Sequence, residues 1–188
     1  LPPRQSNFLA AFAQVRDRGC LAWLDISTGD VRYSSCPTVG LGPELSRIAP
    51  AEILISDSTL PSLLEVIKET GVAATSLMQS MFDSTIGLER ISAAFGITTV
   101  DGFGDFSRAE IAALGALVEY LTTTQKGQRP LLRQPVREDK NDFVVIDAAT
   151  RRNLELTQTL TGEKKGSVIS VVDQSVTAPG ARLLYRRI

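Results

Sequence analysis

The 188-residue sequence carries 20 basic against 21 acidic residues, a net charge of −1, and 43% of it is hydrophobic. That balance suits one globular domain plus a smaller appendage, and excludes a whole-chain field that would draw the protein onto nucleic acid or an anionic membrane. Histidine is absent, which removes His-based triads and His-ligated metals, and two cysteines cannot complete a four-ligand zinc site.

No apolar run approaches the roughly 20 residues that span a bilayer, and "LPPRQSNF" lacks the apolar core of a signal peptide, so a cytoplasmic protein is expected. Both ends read as cut. The first residue is Leu1, and "TAPGARLLYRRI" stops partway through an expected helix with Thr177 as cap, Pro179 near its start and Leu183, Leu184 and Ile188 as an apolar stripe.

In chain order, "CLAWLDISTGDVRYSSC" predicts a β-hairpin turning over Thr28 and Gly29, with Ile26 opposite Val31, Leu24 opposite Tyr33 and Asp25 opposite Arg32. In that register Cys20 and Cys36 point to opposite faces, so free buried thiols are expected rather than a disulfide. "LGPELSRIAPAEILIS" predicts a short helix ending before Pro50 and a buried strand at Ile53 to Ser56. "STLPSLLEVIKETG" offers a Ser58 or Thr59 cap, Leu63, Leu64 and Ile67 at helical spacing, and Gly71 as a stop, with a short strand at Val72 to Leu77 next. Helices follow at Ser84 to Phe95, stopped by Gly96, and at Ser107 to Thr124, where Ser107 and Glu110 stand in capping-box positions. Strands alternating with helices behind an opening hairpin indicate an α/β layered domain with a mixed sheet.

"TTTQKGQRPLLRQPVREDKND" is charged and proline-bearing, and reads as a connection leaving that domain. Beyond a short extended "FVVID", three pieces are expected, two helices and the loop between them. Asp147 caps one that buries Ala149, Leu156 and Leu160; "TGEKKG" is a loop; Ser167 starts another bearing Val168, Val171, Val172 and Val176. Such helices need more protein to cover their apolar faces.

The stretch "DAATRRNLEL", with "LAWLDISTGDV", "PAEILIS" and "DGFG" in the same order, resembles the bacterial MutS family of mismatch-recognition ATPases at the junction of its connector and core (lever) domains. The resemblance covers nearly the whole chain and is most specific from Asp147 to Leu156; Pro179, where relatives often have methionine, is a mild departure. It implies a ribonuclease-H-like connector over residues 1–125, a linker over 126–146 and a partial helical core over 147–188. It also implies a fragment without catalysis of its own. The Phe-x-Glu motif of the family's mismatch-reading domain and the phosphate loop that binds ATP and Mg in the full-length protein are both missing from the sequence. The implied role is a relay between mismatched duplex DNA, the ATPase domain and MutL, within a homodimeric parent that has no membrane partner.

Several residues invite sharper readings. "TGEKKGS" is no phosphate loop, because three rather than four residues separate Gly162 from Gly166 and a helix precedes it. "DGFGDF" lacks the third glycine of a dinucleotide fingerprint. Asp25 suggests an alternative, a ribonuclease-H-like metal-dependent nuclease, but none of Glu52, Asp57, Glu65 or Asp105 has a spacing that forces convergence on it. The preferred role for Asp25 is the cross-strand pair with Arg32. Arg151 and Arg152 sit at the wrong end of a helix dipole, which points to a specific acceptor and hence an interdomain contact. Lys164 and Lys165 are candidates for phosphate contact. In the Ser84 to Phe95 helix, Ile86, Ile91 and Phe95 are expected to face the core, leaving Glu89 and Arg90 outward as a candidate partner surface.

Overall fold

The computed structural model describes residues 7–96, 106–124, 131–139 and 146–188. Six strands form one mixed sheet: β1 (Phe8–Val15), β2 (Arg18–Asp25), β3 (Val31–Ser35), β4 (Glu52–Ser56), β5 (Ala73–Leu77) and β6 (Val136–Arg137), ordered β5-β4-β1-β2-β3-β6. β1, β2 and β3 run antiparallel as a meander, whereas β4 lies parallel to β1 and β5 parallel to β4. The parallel pairings require crossovers, supplied by α1 (Leu41–Ile48) and α2 (Leu60–Thr70). Helices α3 (Ser84–Phe95) and α4 (Arg108–Thr124) cover the opposite face. This is the α/β class with a mixed sheet expected from the sequence.

Two apolar layers sandwich the sheet. Leu9, Ala11, Cys20, Ala22, Leu24, Val31, Tyr33 and Leu54 pack with Ile91, Phe95 and the alanine-rich side of α4. Their strand neighbours Phe8, Ala10, Phe12, Leu21, Trp23, Ile53 and Ile55 pack with Leu41, Leu45, Ile48, Leu63 and Ile67. Because β1 is covered on both faces, "FLAAFAQV" shows no apolar–polar alternation, and a strand there was not expected from the sequence. The close fit of α3 on α4 depends on two glycines: a Cβ on Gly115 would lie 2.7 Å from the Gly87 Cα.

The hairpin is real but its register differs from the expected one by two residues. Leu24 pairs with Val31, Ala22 with Tyr33 and Trp23 with Arg32. Asp25 causes the difference: its Oδ1 accepts the Ser27 N–H at 2.9 Å, and its carbonyl accepts the N–H groups of Thr28 at 3.2 Å and Gly29 at 2.9 Å. The loop therefore opens at Asp25 rather than Thr28, and the Asp25–Arg32 pair does not form. A shift of two keeps every side chain on its face, so Cys20 and Cys36 do lie in opposite layers as free, buried thiols.

Several helix ends follow the sequence signals, whereas Thr59 precedes α2 without the expected side-chain cap bond. Gly71 and Gly96 take left-handed conformations at the ends of α2 and α3, and Asp83 caps α3 through the Thr85 and Ile86 N–H groups. Ser107 and Glu110 form the reciprocal box, with Ser107 N–H donating to Glu110 at 2.7 Å and Glu110 N–H to the Ser107 hydroxyl at 3.3 Å. "DGFG" falls at residues 101–104, outside the described residues.

Residues 131–139, read as a connection leaving the domain, continue along the sheet. Arg133 N–H donates to the Gly29 carbonyl at 2.9 Å, β6 pairs parallel with β3, and Glu138 N–H donates to the Tyr33 carbonyl at 2.8 Å. The Leu131 carbonyl passes where a Cβ on Gly29 would stand, at 2.1 Å, and Gly29 also has a φ of +74°.

The last region is thinner. It contains α5 (Ala148–Asn153), α6 (Val168–Val172) and α7 (Ala178–Arg187). Asp147 caps α5 as expected and Thr177 caps α7, but α5 stops at Asn153, with Glu155 at a φ of +50°. Leu160 and Ala149 are consequently exposed rather than buried. On α6 the core-facing residue is Ile169, and the expected stripe of Val168, Val171, Val172 and Val176 is exposed. Ala181 is the buried residue of α7, while Leu183 is exposed.

Candidate interdomain contact

The densest charge cluster lies where α5 meets α1. Glu44 and Arg47 are one turn apart on α1, and Arg47 donates to the Glu44 carboxylate from Nε at 3.1 Å and from Nη2 at 2.8 Å. Arg47 also reaches Glu138 at 3.1 Å, and Arg32 on β3 holds the other Glu138 oxygen at 2.7 Å. The Arg47 guanidinium lies 5.6 Å from the centre of the buried Trp23 ring. These groups are mostly withdrawn from water, where paired charges are coupled more strongly than at an open surface.

Arg151 approaches this network from α5. Its Nη1 donates to the Ile188 carbonyl at 3.1 Å, while its Nε is buried without any acceptor. Burial, and then the like charge of Arg47, pulls the guanidinium below its ordinary pKa. The acceptor it finds is the main-chain oxygen of Ile188, in its own region rather than across a domain boundary as expected, and it satisfies only part of the group. Arg152 is exposed. Between them and α1, α2 and Tyr185 runs a half-open crevice of about 520 Å³, lined also by Lys68, Glu69 and Gly162.

The other candidates are placed as follows. Arg90 is tied down by Glu119 at 2.9 Å and by the Met81 carbonyl at 3.0 Å, so it joins α3 to α4 instead of pointing freely outward. Glu89 is exposed on the same helix, and Ile86, expected in the core, is exposed beside it. Lys164 and Lys165 project from the α5–α6 connection. That connection does not fit a nucleotide phosphate. Gly162 N–H donates to the Thr159 carbonyl at 2.8 Å, Gly166 N–H to the Ser170 hydroxyl at 3.0 Å and Ser167 N–H to the Lys164 carbonyl at 3.2 Å, so the amides needed to cradle an anion are already used.

Asp25 is buried and engaged with its own loop. Of its conceivable partners, Glu52 accepts the Tyr120 hydroxyl at 3.0 Å, Asp57 accepts the Ser58 N–H at 2.8 Å, Glu65 pairs with Lys68 at 3.2 Å, and Asp105 lies outside the described residues. Among the described residues no three His, Cys, Asp or Glu side chains are grouped to hold a metal ion, so the two-metal nuclease reading is not favoured.

Comparison with known proteins agrees with this picture. Residues 7–133 match the family model of MutS domain II. The whole chain aligns with proteins named DNA mismatch repair protein MutS. It is 53% identical to one from Cereibacter sphaeroides, 54% identical to one from Paracoccus denitrificans and 46% identical to one from Ruegeria pomeroyi. The chain belongs to the MutS family. Each alignment takes in 100% of this chain and 21 to 22% of the relative, so the chain spans about a fifth of the length of those proteins. The domain II match stops at residue 133, whereas Glu138 and Arg151 lie beyond it. Among the described residues, no helix is long and apolar enough to cross a membrane.

Sequence reasoning singled out Arg151 but missed Glu44, Arg47 and Glu138. Glu44 and Arg47 carry a visible signal, an acid–base pair at helical spacing. Glu138 sits in a charged run, 91 residues from Arg47, and nothing local marks it.

Proposed function

We propose that this chain is a transmitting and docking module of a MutS-type mismatch repair protein, without catalysis of its own. In this reading domain II relays between mismatched duplex DNA, the ATPase part of a homodimeric cytoplasmic parent and MutL. ATP and Mg would act outside these residues. The observation that carries the proposal is the Arg32–Glu138–Arg47–Glu44 network, which ties the sheet and the 131–139 segment to α1, the helix on which α5 packs. A displacement of α1 is felt by the sheet and by the 131–139 segment because buried pairs resist separation.

The direct test is a titration of this chain with MutL of the same organism, followed by interferometry, with mismatched duplex DNA as a parallel ligand. Saturable MutL binding with little DNA binding is expected, and charge reversal at the exposed Glu89 should weaken it if that face of α3 takes part. Salt-sensitive DNA binding without MutL binding would contradict the proposal and would direct substitution to Arg151, Arg152, Lys164 and Lys165.

A further inference from the structure

Three guanidiniums, those of Arg32, Arg47 and Arg151, stand around two carboxylates, Glu44 and Glu138. Arg47 takes both carboxylates and Arg32 shares Glu138, so among the described residues no carboxylate side chain hydrogen-bonds to Arg151, although the charge of Glu44 favours it from nearby. Its one hydrogen bond goes to the main-chain oxygen of Ile188, and its Nε has no acceptor. A half-buried arginine whose Nε is shut off from water without an acceptor is a costly arrangement, which a nearby anion would offset. Arg151 lines the crevice, whose lining adds Arg152 and Lys68 against Glu69, with Lys68 already engaged by Glu65.

We infer that this crevice receives an aspartate or glutamate side chain from a polypeptide segment outside these residues, which pairs with Arg151 and completes the network. The volume of about 520 Å³ admits a side chain or two, whereas a duplex backbone needs an open surface with several free cations. A protein donor is at hand, since the relatives extend to about five times this length, the chain filling 21% of them. The inference deepens the relay reading by naming the contact through which the rest of the parent engages α5 and α1. The two fail separately, because MutL binding tests the first and the experiment below tests only the second.

The experiment uses the full-length parent. Arg151→Lys places an amine at the site, and carbodiimide coupling followed by peptide mass spectrometry reads any carboxylate in contact with it. A zero-length cross-link from position 151 to an acidic residue outside the present chain is expected. Cross-links to Glu44 or Glu138 alone, or none at all, would overturn the inference. Phenylglyoxal modification of the unsubstituted proteins supplies a readout that needs no variant: Arg151 should react several-fold more slowly in the full-length protein than in the present chain. Equal rates would contradict the inference, and so would saturable protection of Arg151 by inorganic phosphate in the full-length protein, which would assign the crevice to a free anion.

Discussion

The two regions of this molecule solve the burial problem differently. The sheet region covers both faces of β1, β2 and β4 with helices and leaves most of its large apolar side chains dry. The 146–188 region has helices of six, five and ten residues and exposes Leu154, Leu160, Val168, Val171, Val172, Val176 and Leu183. Helices that short are marginal without tertiary support. The contrast teaches that the first region carries its own core, while the second is held by a few polar contacts and by Ile169 and Ala181.

The comparison is broken most severely inside the sheet region. Trp23→Ala removes a fully buried aromatic that packs beneath Arg47, and should cost about 3–5 kcal/mol in denaturant unfolding. Gly115→Ala forces α3 and α4 apart at their closest approach and should cost about 1–3 kcal/mol. Glu110→Ala loses half of the capping box and the 3.1 Å pair with Arg137, and about 1 kcal/mol is expected. In the second region, by contrast, Val171→Ala should change the stability of this chain by less than about 0.5 kcal/mol, because its side chain is 72% exposed. A loss as large as that of Trp23→Ala would show that the second region has a core of its own.

Acid sharpens the same contrast with one cap in each region. The Asp83 carboxylate accepts the Thr85 and Ile86 N–H groups and the Asp147 carboxylate that of Thr150, and these bonds hold both below the ordinary aspartate pKa. A folded pKa below the unfolded one means stabilisation that is complete above the unfolded value and is lost as pH falls through the folded value. Asp83→Asn keeps the cap without the titration, so the acid dependence of unfolding should flatten. Asp147→Asn should leave global unfolding unchanged and alter only local exchange at α5.

What the sequence revealed tracks how local the physics is. Gly71, Gly96, Asp147 and the Ser107–Glu110 box each act within one turn, and each was legible. β1 was not, since burial on both faces erases alternation. The register of β2 on β3 was missed because the Asp25 side chain competes for the turn, a choice between loops of similar cost. β6 hides among prolines and charges, where only its pairing with β3 reveals it. At the candidate contact, the helix-start position of Arg151 pointed to a need for an acceptor, but the network around it joins residues far apart in the chain.

The central claim is that the sheet region stands alone while the 146–188 region is completed by the rest of the parent. Hydrogen exchange read by mass spectrometry on this chain and on the full-length protein tests it most directly. Equal protection of β1, β2, β4 and α4 in both, with protection of α5, α6 and α7 rising at least tenfold in the full-length protein, is the predicted result. Equal protection of residues 146–188 in the two proteins would contradict the account.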